Sequence, residues 1–237
     1  MEKKFTSSQA VGAIVAEFPQ AAEIFKGYRI DFCCGGDKTL KLAVQELGLD
    51  ENTVLEQLNQ TYSKTVNQSK KSDEVDWRKE SFTTLVDHIV NTHHLYLQKE
   101  LPQISEFVTK ILRVHGQNHS ELTRVHKLFH TLKMELEQHL IKEEEILFPL
   151  IKEYEKNPSD QLLDKIKQVT NDIEEEHEQA GDIIKELRNI TKQYELPANT
   201  CTTYQLAYQK LEEMESDIFQ HIHLENNILH PRLQGRI

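Results

Sequence analysis

A chain of 237 residues with 38% hydrophobic and 28% charged residues is long enough to bury a core and too apolar for a disordered protein. Eight Gly and six Pro exclude a collagen-like or linker composition and favour long helices. The net charge of −11 at pH 7 opposes a phosphate backbone and so excludes nucleic acid as a partner, and the longest apolar run, Ala10 to Ala16, is far too short to span a membrane. The N-terminus, MEKKFTSS, has no apolar stretch of signal-peptide length, and three Cys, two of them adjacent, form no disulfide framework, so a cytoplasmic protein is expected. Twelve His is a high count that needs a chemical reason.

Taken in chain order, residues 1–65 read as a small helical domain broken by Pro19, Gly27, Gly35-Gly36 and Gly48. A short helix is predicted over Thr39 to Glu46, and a longer one over Glu51 to Ser63 with Asp50 as its N-cap. The polar stretch 66–76 reads as a linker. From 77 to 237 the period is helical throughout, with breakers near His115-Gly116, Asn157-Pro158-Ser159 and Leu196-Pro197-Ala198-Asn199. Four helices are predicted, near 78–112, 119–156, 160–194 and 202–233. Connections this short make sequential helices antiparallel neighbours, so the expected fold is all-α, an up-down-up-down four-helix bundle behind the small N-terminal domain.

Each bundle helix carries one apolar stripe, and polar residues interrupt each stripe. The first runs Val86, Val90, His94, Leu97, Leu101, Ile104, Val108, and the second passes from Leu132 and Leu136 to His139, Glu143 and Leu147. The third passes Ile173, His177, Ala180 and Ile184, and the fourth Met214, Ile218, His221, Glu225 and Ile228. Six titratable side chains are therefore expected to converge inside the bundle. In the first helix His93 competes with His94, because it continues a stripe through Leu85, Ile89 and Tyr96 that then meets Glu100. His88, His115, His119, His126, His130, His223 and His230 fall off the stripes and are expected at the surface or behind the inner ligands.

The bundle also repeats itself. His139 to Pro149 and His221 to Pro231 share the pattern His-x3-Glu-x2-Ile-Leu-x-Pro, at nearly the offset that separates His94 from His177. Two helical hairpins would each supply one His from one helix and a His-x3-Glu from the next. Spacing i,i+4 sets both side chains on one face about 5–6 Å apart. A buried, unpaired carboxylate costs several kcal/mol, so two of them among four histidines require a compensating cation. Imidazole and carboxylate together suit first-row metals, and His94, His139, Glu143, His177, His221 and Glu225 are enough for two irons with positions left open for solvent or a small ligand. A single His on an apolar stripe is usually a core histidine, and a run such as Glu143-Glu144-Glu145 is usually a solvated face. The joint, in-phase repeat is what argues for metal.

The N-terminal domain holds a second chemical feature, Asp31-Phe32-Cys33-Cys34-Gly35-Gly36-Asp37. Adjacent Cα atoms about 3.8 Å apart lie below the usual disulfide separation, so a Cys33–Cys34 bridge would be strained and easily reduced. The position ahead of a helix could acidify the thiols, and the glycines let a backbone or ligand approach closely. The alternative is two small buried residues in a turn. Cys201 is expected to be structural.

Cys-Cys-Gly-Gly near the N-terminus, Asp76-Trp77 before the first bundle helix, HLIKEEEILFP and HIHLENNILHP together resemble the RIC (repair of iron centres) family of ScdA/YtfE type, from about residue 7 to 235. The resemblance implies a hemerythrin-like bundle in which the same six residues, His94, His139, Glu143, His177, His221 and Glu225, bind two irons bridged by carboxylate and an oxo-type group. It places the family's cysteine pair on Cys33 and Cys34 as transfer or redox thiols. It further implies a homodimer that restores iron-sulfur clusters damaged by oxidative or nitrosative stress. Its partners would be the damaged iron-sulfur proteins or cluster scaffold proteins, with nitric oxide or oxygen as small ligands. Compared with oxygen-carrying hemerythrins, Gly181 stands where a further His is expected, and the last carboxylate is Glu225 at i+4 instead of an Asp at i+5. Fewer His ligands favour labile iron over stable oxygen carriage. The competing expectations are an oxygen or nitric oxide sensor or carrier, and a di-iron redox enzyme acting on nitric oxide or peroxide. No residue pattern specifies an organic substrate.

Overall fold

The computed structural model describes residues 4–68, 75–198 and 200–235. Among them the chain is all-α, with a single isolated bridge between Ala10 and Thr39. It forms two compact units, the first of residues 1–81 together with 222–237 and the second of residues 82–221.

In the second unit, α5 (Phe82–Ile89), a π turn (Val90–His94) and α6 (Leu95–His115) form the first long helical run. The second joins α7 (Glu121–Lys142), a π turn (Glu143–Leu147) and α8 (Phe148–Lys156). The third is α9 (Asp160–Ile190), and the fourth begins as α10 (Thr202–Leu224). Side-chain pairs fix the directions. Ser105 meets His130 while Thr109 meets His126, so the first two runs are antiparallel. Arg124 meets Glu186 while His139 meets Glu176, and Arg188 meets Glu215 while Tyr194 meets Tyr208 edge-on, so each later neighbour also reverses. Glu100 with Lys210 and His93 with Asp217 close the fourth run against the first. The result is the predicted up-down-up-down bundle.

The first long run begins at Phe82 and ends at His115 instead of near 78 and 112, and two further boundaries differ for reasons visible in the hydrogen bonding. The third helix ends at Ile190 instead of 194, because the Thr191 hydroxyl donates to the Leu187 carbonyl at 2.7 Å and Lys192, Gln193 and Tyr194 turn left-handed, with φ of 51°, 66° and 60°. In the first unit, α4 (Glu51–Gln68) runs past Ser63. The hydroxyls of Thr61, Ser63 and Thr65 each donate to the carbonyl four residues back, at 2.8, 2.8 and 3.0 Å, so a polar stretch that reads as linker is absorbed into helix. Residues 69–74 of the expected linker and Asn199 of the last breaker lie outside the described residues.

The first unit packs α1 (Val11–Glu17), α2 (Ala21–Tyr28), α3 (Leu40–Glu46) and α4 with the end of the last helical run, where a third π turn (Glu225–Leu229) leads into α11 (His230–Leu233). Thr39, expected as the first helical residue, instead caps α3, and the Asp50 carboxylate accepts the Thr53 N–H at 2.7 Å as predicted. Ile222, His223, Leu224, Glu225, Ile228, Leu229, His230 and Leu233 are all buried, so this segment is covered beyond its inner stripe, while Asn226, Asn227, Pro231 and Arg232 are half-buried. Arg232 fastens it, donating to the carbonyls of Trp77 at 2.8 Å and Glu80 at 2.5 Å. No helix among the described residues is long and apolar enough to cross a membrane.

A fragment beginning at Asp76 removes cover from a segment with five buried large aliphatic side chains, each worth about 1.5–3 kcal/mol when fully buried. We expect it to fold as a helical bundle with a melting temperature lowered by roughly 5 °C or more, measured by far-UV circular dichroism. A fragment as stable as the full chain would contradict the burial of residues 222–235 as a stabilising feature.

Candidate metal centre

The six side chains selected by the stripes are all buried, with Glu143 and Glu225 each 0% exposed. Their donor atoms form two groups whose members lie within 4.8 Å of one another: His94, Glu143, His221 and Glu225, and His139, Glu143, His177 and Glu225. Both carboxylates belong to both groups. Within the bundle, Glu143 Oε2 is 3.2 Å from His94 Nε2, 3.3 Å from His139 Nε2 and 3.7 Å from His221 Nε2. The imidazoles also converge in pairs, with His94 Nε2 3.2 Å from His221 Nε2 and His177 Nε2 3.1 Å from His139 Nε2.

The opposite edges of two of these rings explain their orientation. His94 Nδ1 lies 2.9 Å from Glu144 Oε1, and His139 Nδ1 lies 2.8 Å from Glu176 Oε2. An ionised carboxylate only accepts, so Nδ1 carries the proton and Nε2 turns its lone pair inward. Glu176 is held further by Lys142 Nζ at 2.8 Å, and its hydrogen bond to His139 brings its carboxyl down to about 2, so it is ionised at neutral pH. Phe148 stacks on the His94 ring at 5.6 Å. Inward-facing imidazole lone pairs and buried carboxylate oxygens at these separations repel one another, and a shared cation reverses the sign. The donor chemistry fits iron or a similar first-row metal, with four protein donors in each group and room in the coordination sphere for a small ligand.

Three of the ligand candidates lie in π turns: His94 closes the first, Glu143 opens the second and Glu225 opens the third. A π turn inserts an extra residue into the helical repeat, which is common at functional sites. In the first helix it also resolves the competition between adjacent histidines. Both are buried, His94 among the converging donors, while His93 donates to Asp217 at 2.9 Å and stacks parallel to His221 at 5.6 Å.

Sequence reasoning missed Glu144, Glu176 and Asp217, which orient rings from the outer side. Their signal was adjacency, since Glu144 follows Glu143, Glu176 precedes His177, and Asp217 stands one turn before His221. His223 and His230 are buried, at 3% and 1% exposure, because the last helical segment is enclosed on its outer face as well. Burial brings His223 down to about 4, so it is neutral, and its ring packs edge-on to Phe32 at 5.8 Å. His88, His115, His119, His126 and His130 are half-buried and lie outside the donor groups.

The cysteine pair lies in the first unit as two thiols not joined by a disulfide, with sulfurs 3.9 Å apart. Asp31 builds the turn, its Oδ1 accepting from Cys33 N–H at 3.2 Å, Gly35 N–H at 3.1 Å and the Cys33 thiol at 3.3 Å. The Cys33 thiol is not acidified by the following helix: desolvation pushes it up, aided by its hydrogen bond to Cys34. Asp31, Cys33 and Cys34 place three ligand atoms within 4.8 Å of one another. Cys201, expected to be structural, is exposed, and His115 at 3.2 Å brings its thiol down to about 7.

Comparison with known proteins agrees with this architecture. Residues 7–62 match the ScdA_N domain, described as a domain of unknown function (DUF542), and residues 85–233 match the hemerythrin HHE cation binding domain. Iron-sulfur cluster repair protein YtfE of Salmonella typhimurium is 33% identical over 227 residues, covering 94% of this chain and 96% of the relative. The proteins of that name from Enterobacter sp. and Citrobacter koseri are each 33% identical over 224 residues at the same coverage.

Two outcomes are expected if the donor groups bind metal. Replacing Glu143 with Leu abolishes paired-metal binding yet leaves the metal-free protein as stable or raises its stability by about 1–4 kcal/mol, because a buried charge is removed. Denaturant unfolding of the metal-free variant, with metal content alongside, checks both. Glu176→Ala weakens metal affinity by roughly 10–100-fold in a chelator competition, since the His139 ring loses its outer anchor.

Proposed function

The chain belongs to the RIC family of ScdA/YtfE type, a hemerythrin HHE domain behind a ScdA_N domain, and on that premise we propose that it repairs damaged iron-sulfur clusters by supplying labile iron. The observation that carries this reading is the sharing of Glu143 and Glu225 by two donor groups, which accommodates a pair of irons on six protein ligands. His94, His139, Glu143, His177, His221 and Glu225 would hold the irons, and both carboxylates, together with an oxo-type group, would serve as bridges between them. Each donor group contains two imidazoles and two shared carboxylates, fewer donors than an octahedral ion takes. Incomplete protein coordination favours exchange, and Gly181 in place of a further His supports the same conclusion. A bound iron pair supplies Lewis acidity and one-electron chemistry toward small ligands such as oxygen or nitric oxide.

In this proposal the iron is cargo, and the chain's own groups govern its departure. Glu144 and Glu176 keep the Nε2 lone pairs of His94 and His139 directed inward. The Asp31, Cys33 and Cys34 cluster receives or exchanges iron or a nitrosyl group. Its protonated Cys33 thiol must release a proton to the Asp31 side or to solvent as a cation binds, so uptake at the thiols is coupled to proton release. The acceptors are damaged iron-sulfur proteins or cluster scaffolds, met in the cytoplasm by a homodimer. The domain division proposed is 1–65, 66–76 and 77–237, with the second and third serving to tether and hold the metal.

The test is iron transfer. Anaerobically purified protein should carry about two irons per chain, a stoichiometry its paired four-donor groups support. It should lose them to an apo-cluster protein faster than a hemerythrin does. The double variant Cys33→Ser with Cys34→Ser should keep its iron and bundle spectrum while reactivating a damaged cluster enzyme more slowly. Wild-type repair by the double variant would assign the cysteines a structural role, and a single tetrahedral zinc in the native protein would overturn the di-iron reading.

A further inference from the structure

In the first unit, the start of α1 and the cysteine turn are tied backbone to backbone. Gly12 N–H donates to the Gly36 carbonyl at 2.8 Å, Val11 N–H to Lys38 at 2.9 Å, and Leu40 N–H to Gln9 at 2.9 Å. Asn227, two residues beyond Glu225 on the third π turn, sits against this junction. Its Nδ2 donates to the carbonyls of Phe32 at 3.2 Å and Cys33 at 3.0 Å. Its Oδ1 stands 2.1 Å from where a Cβ would lie on Gly12 and 2.1 Å from where one would lie on Gly36. Neither glycine has the positive φ that would otherwise account for it. Glycine is needed at both positions because the Asn227 amide occupies the space that a side chain would fill.

We propose that Asn227 is a positioning residue that locks the Cys33–Cys34 turn to the π turn bearing Glu225, coupling metal loading to thiol reactivity. The amide joins a segment that carries a metal-ligating carboxylate to the carbonyl of the residue carrying the buried thiol. When metal fixes Glu225, Asn227 is fixed two residues away, and the Cys33 carbonyl with it. By reciprocity, whatever draws the thiol turn out of place loosens Glu225. The inference deepens the repair reading and rests on Glu225 binding metal.

The experiment uses the full-length chain in a Cys201→Ser background, which removes the exposed thiol. Labelling of the remaining thiols by an aromatic disulfide reagent is timed in metal-free and iron-loaded protein, and iron loss to a ferrous chelator is timed separately. Wild-type thiols should label about fivefold or more slowly when iron is loaded, a difference of the size usual for coupled sites. In Asn227→Ala and in Gly36→Ala, that ratio should fall to near one and iron loss should accelerate by a similar factor, with helical circular dichroism unchanged. Gly36→Ala breaks no side-chain hydrogen bond of its own, so agreement between the two variants points to the displaced amide. If Gly36→Ala does not fold, Asn227→Ala, which only removes atoms, decides. Variants that load iron and keep the wild-type ratio overturn this inference alone. A wild-type chain that takes up no iron overturns the metal reading together with it.

Discussion

Two carboxylates with no solvent exposure, Glu143 and Glu225, set the terms for the rest of the molecule. Nothing in helix propensity or core packing favours a charged residue on the inner stripe of a bundle, and the cost of burial there is several kcal/mol per ion. A cation shared between them would offset that cost, and the four imidazoles stand within reach to complete its coordination. The surrounding devices serve the same end. Glu144 and Glu176 fix ring tautomers, the π turns place His94, Glu143 and Glu225, and α1, the cysteine turn and Trp77 hold the segment that carries Glu225. A bundle designed only for stability would carry leucines at these positions.

The fold was legible because helical periodicity is a strong signal over long runs, and the six candidate ligands were legible because they interrupt four stripes in phase. What escaped reading was local backbone geometry and long-range covering. A π turn has no composition of its own, so the choice between His93 and His94 depended on an insertion that the 3.6-residue period cannot represent. Likewise, Glu144 looked like a solvated glutamate because its partner lies 50 residues away. His223 and His230 fell off the stripe, which describes burial on one face, whereas in this segment residues on both faces, among them Ile222, His223, Leu224, Leu229 and His230, are buried. The adjacent apolar residues Ile222, Leu224 and Leu229, out of phase with the stripe, were the available sign. Polar composition misled once, at 64–68, where hydroxyls bonded to helix carbonyls imitate a linker.

The cysteine turn shows how a sequence motif acquires meaning from its neighbours. The residues Cys-Cys-Gly-Gly suggested either thiols acidified ahead of a helix, with glycines that admit a close approach, or two small buried residues in a turn. Desolvation raises the Cys33 thiol instead of acidifying it, and the close approach beside Gly36 is made by the Asn227 amide. A thiol kept protonated and out of solvent is protected from adventitious oxidation, because the thiolate is the reactive form. Such a thiol becomes a ligand when a metal ion displaces its proton. Low resting reactivity and metal-dependent deprotonation suit an exchange site better than an always-ionised pair would.

The two ends of the bundle treat buried charge in opposite ways. Near the turn after α9, Glu215 is buried, but its counter-charge lies within the protein: Arg188 donates to it from Nε at 2.9 Å and again from Nη2, and the Tyr194 hydroxyl donates at 2.8 Å. That network is complete without any ligand, and it holds three consecutive left-handed residues in place. At the other end, Glu143 meets the lone-pair side of His94 and His139, whose protons are committed outward to Glu144 and Glu176. The first arrangement specifies the fold regardless of metal. The second is favourable only with a cation, so its share of stability varies with loading. Releasing metal from one end therefore does not require unfolding the other, which is the physical condition for a protein that gives up its metal and remains able to take up more.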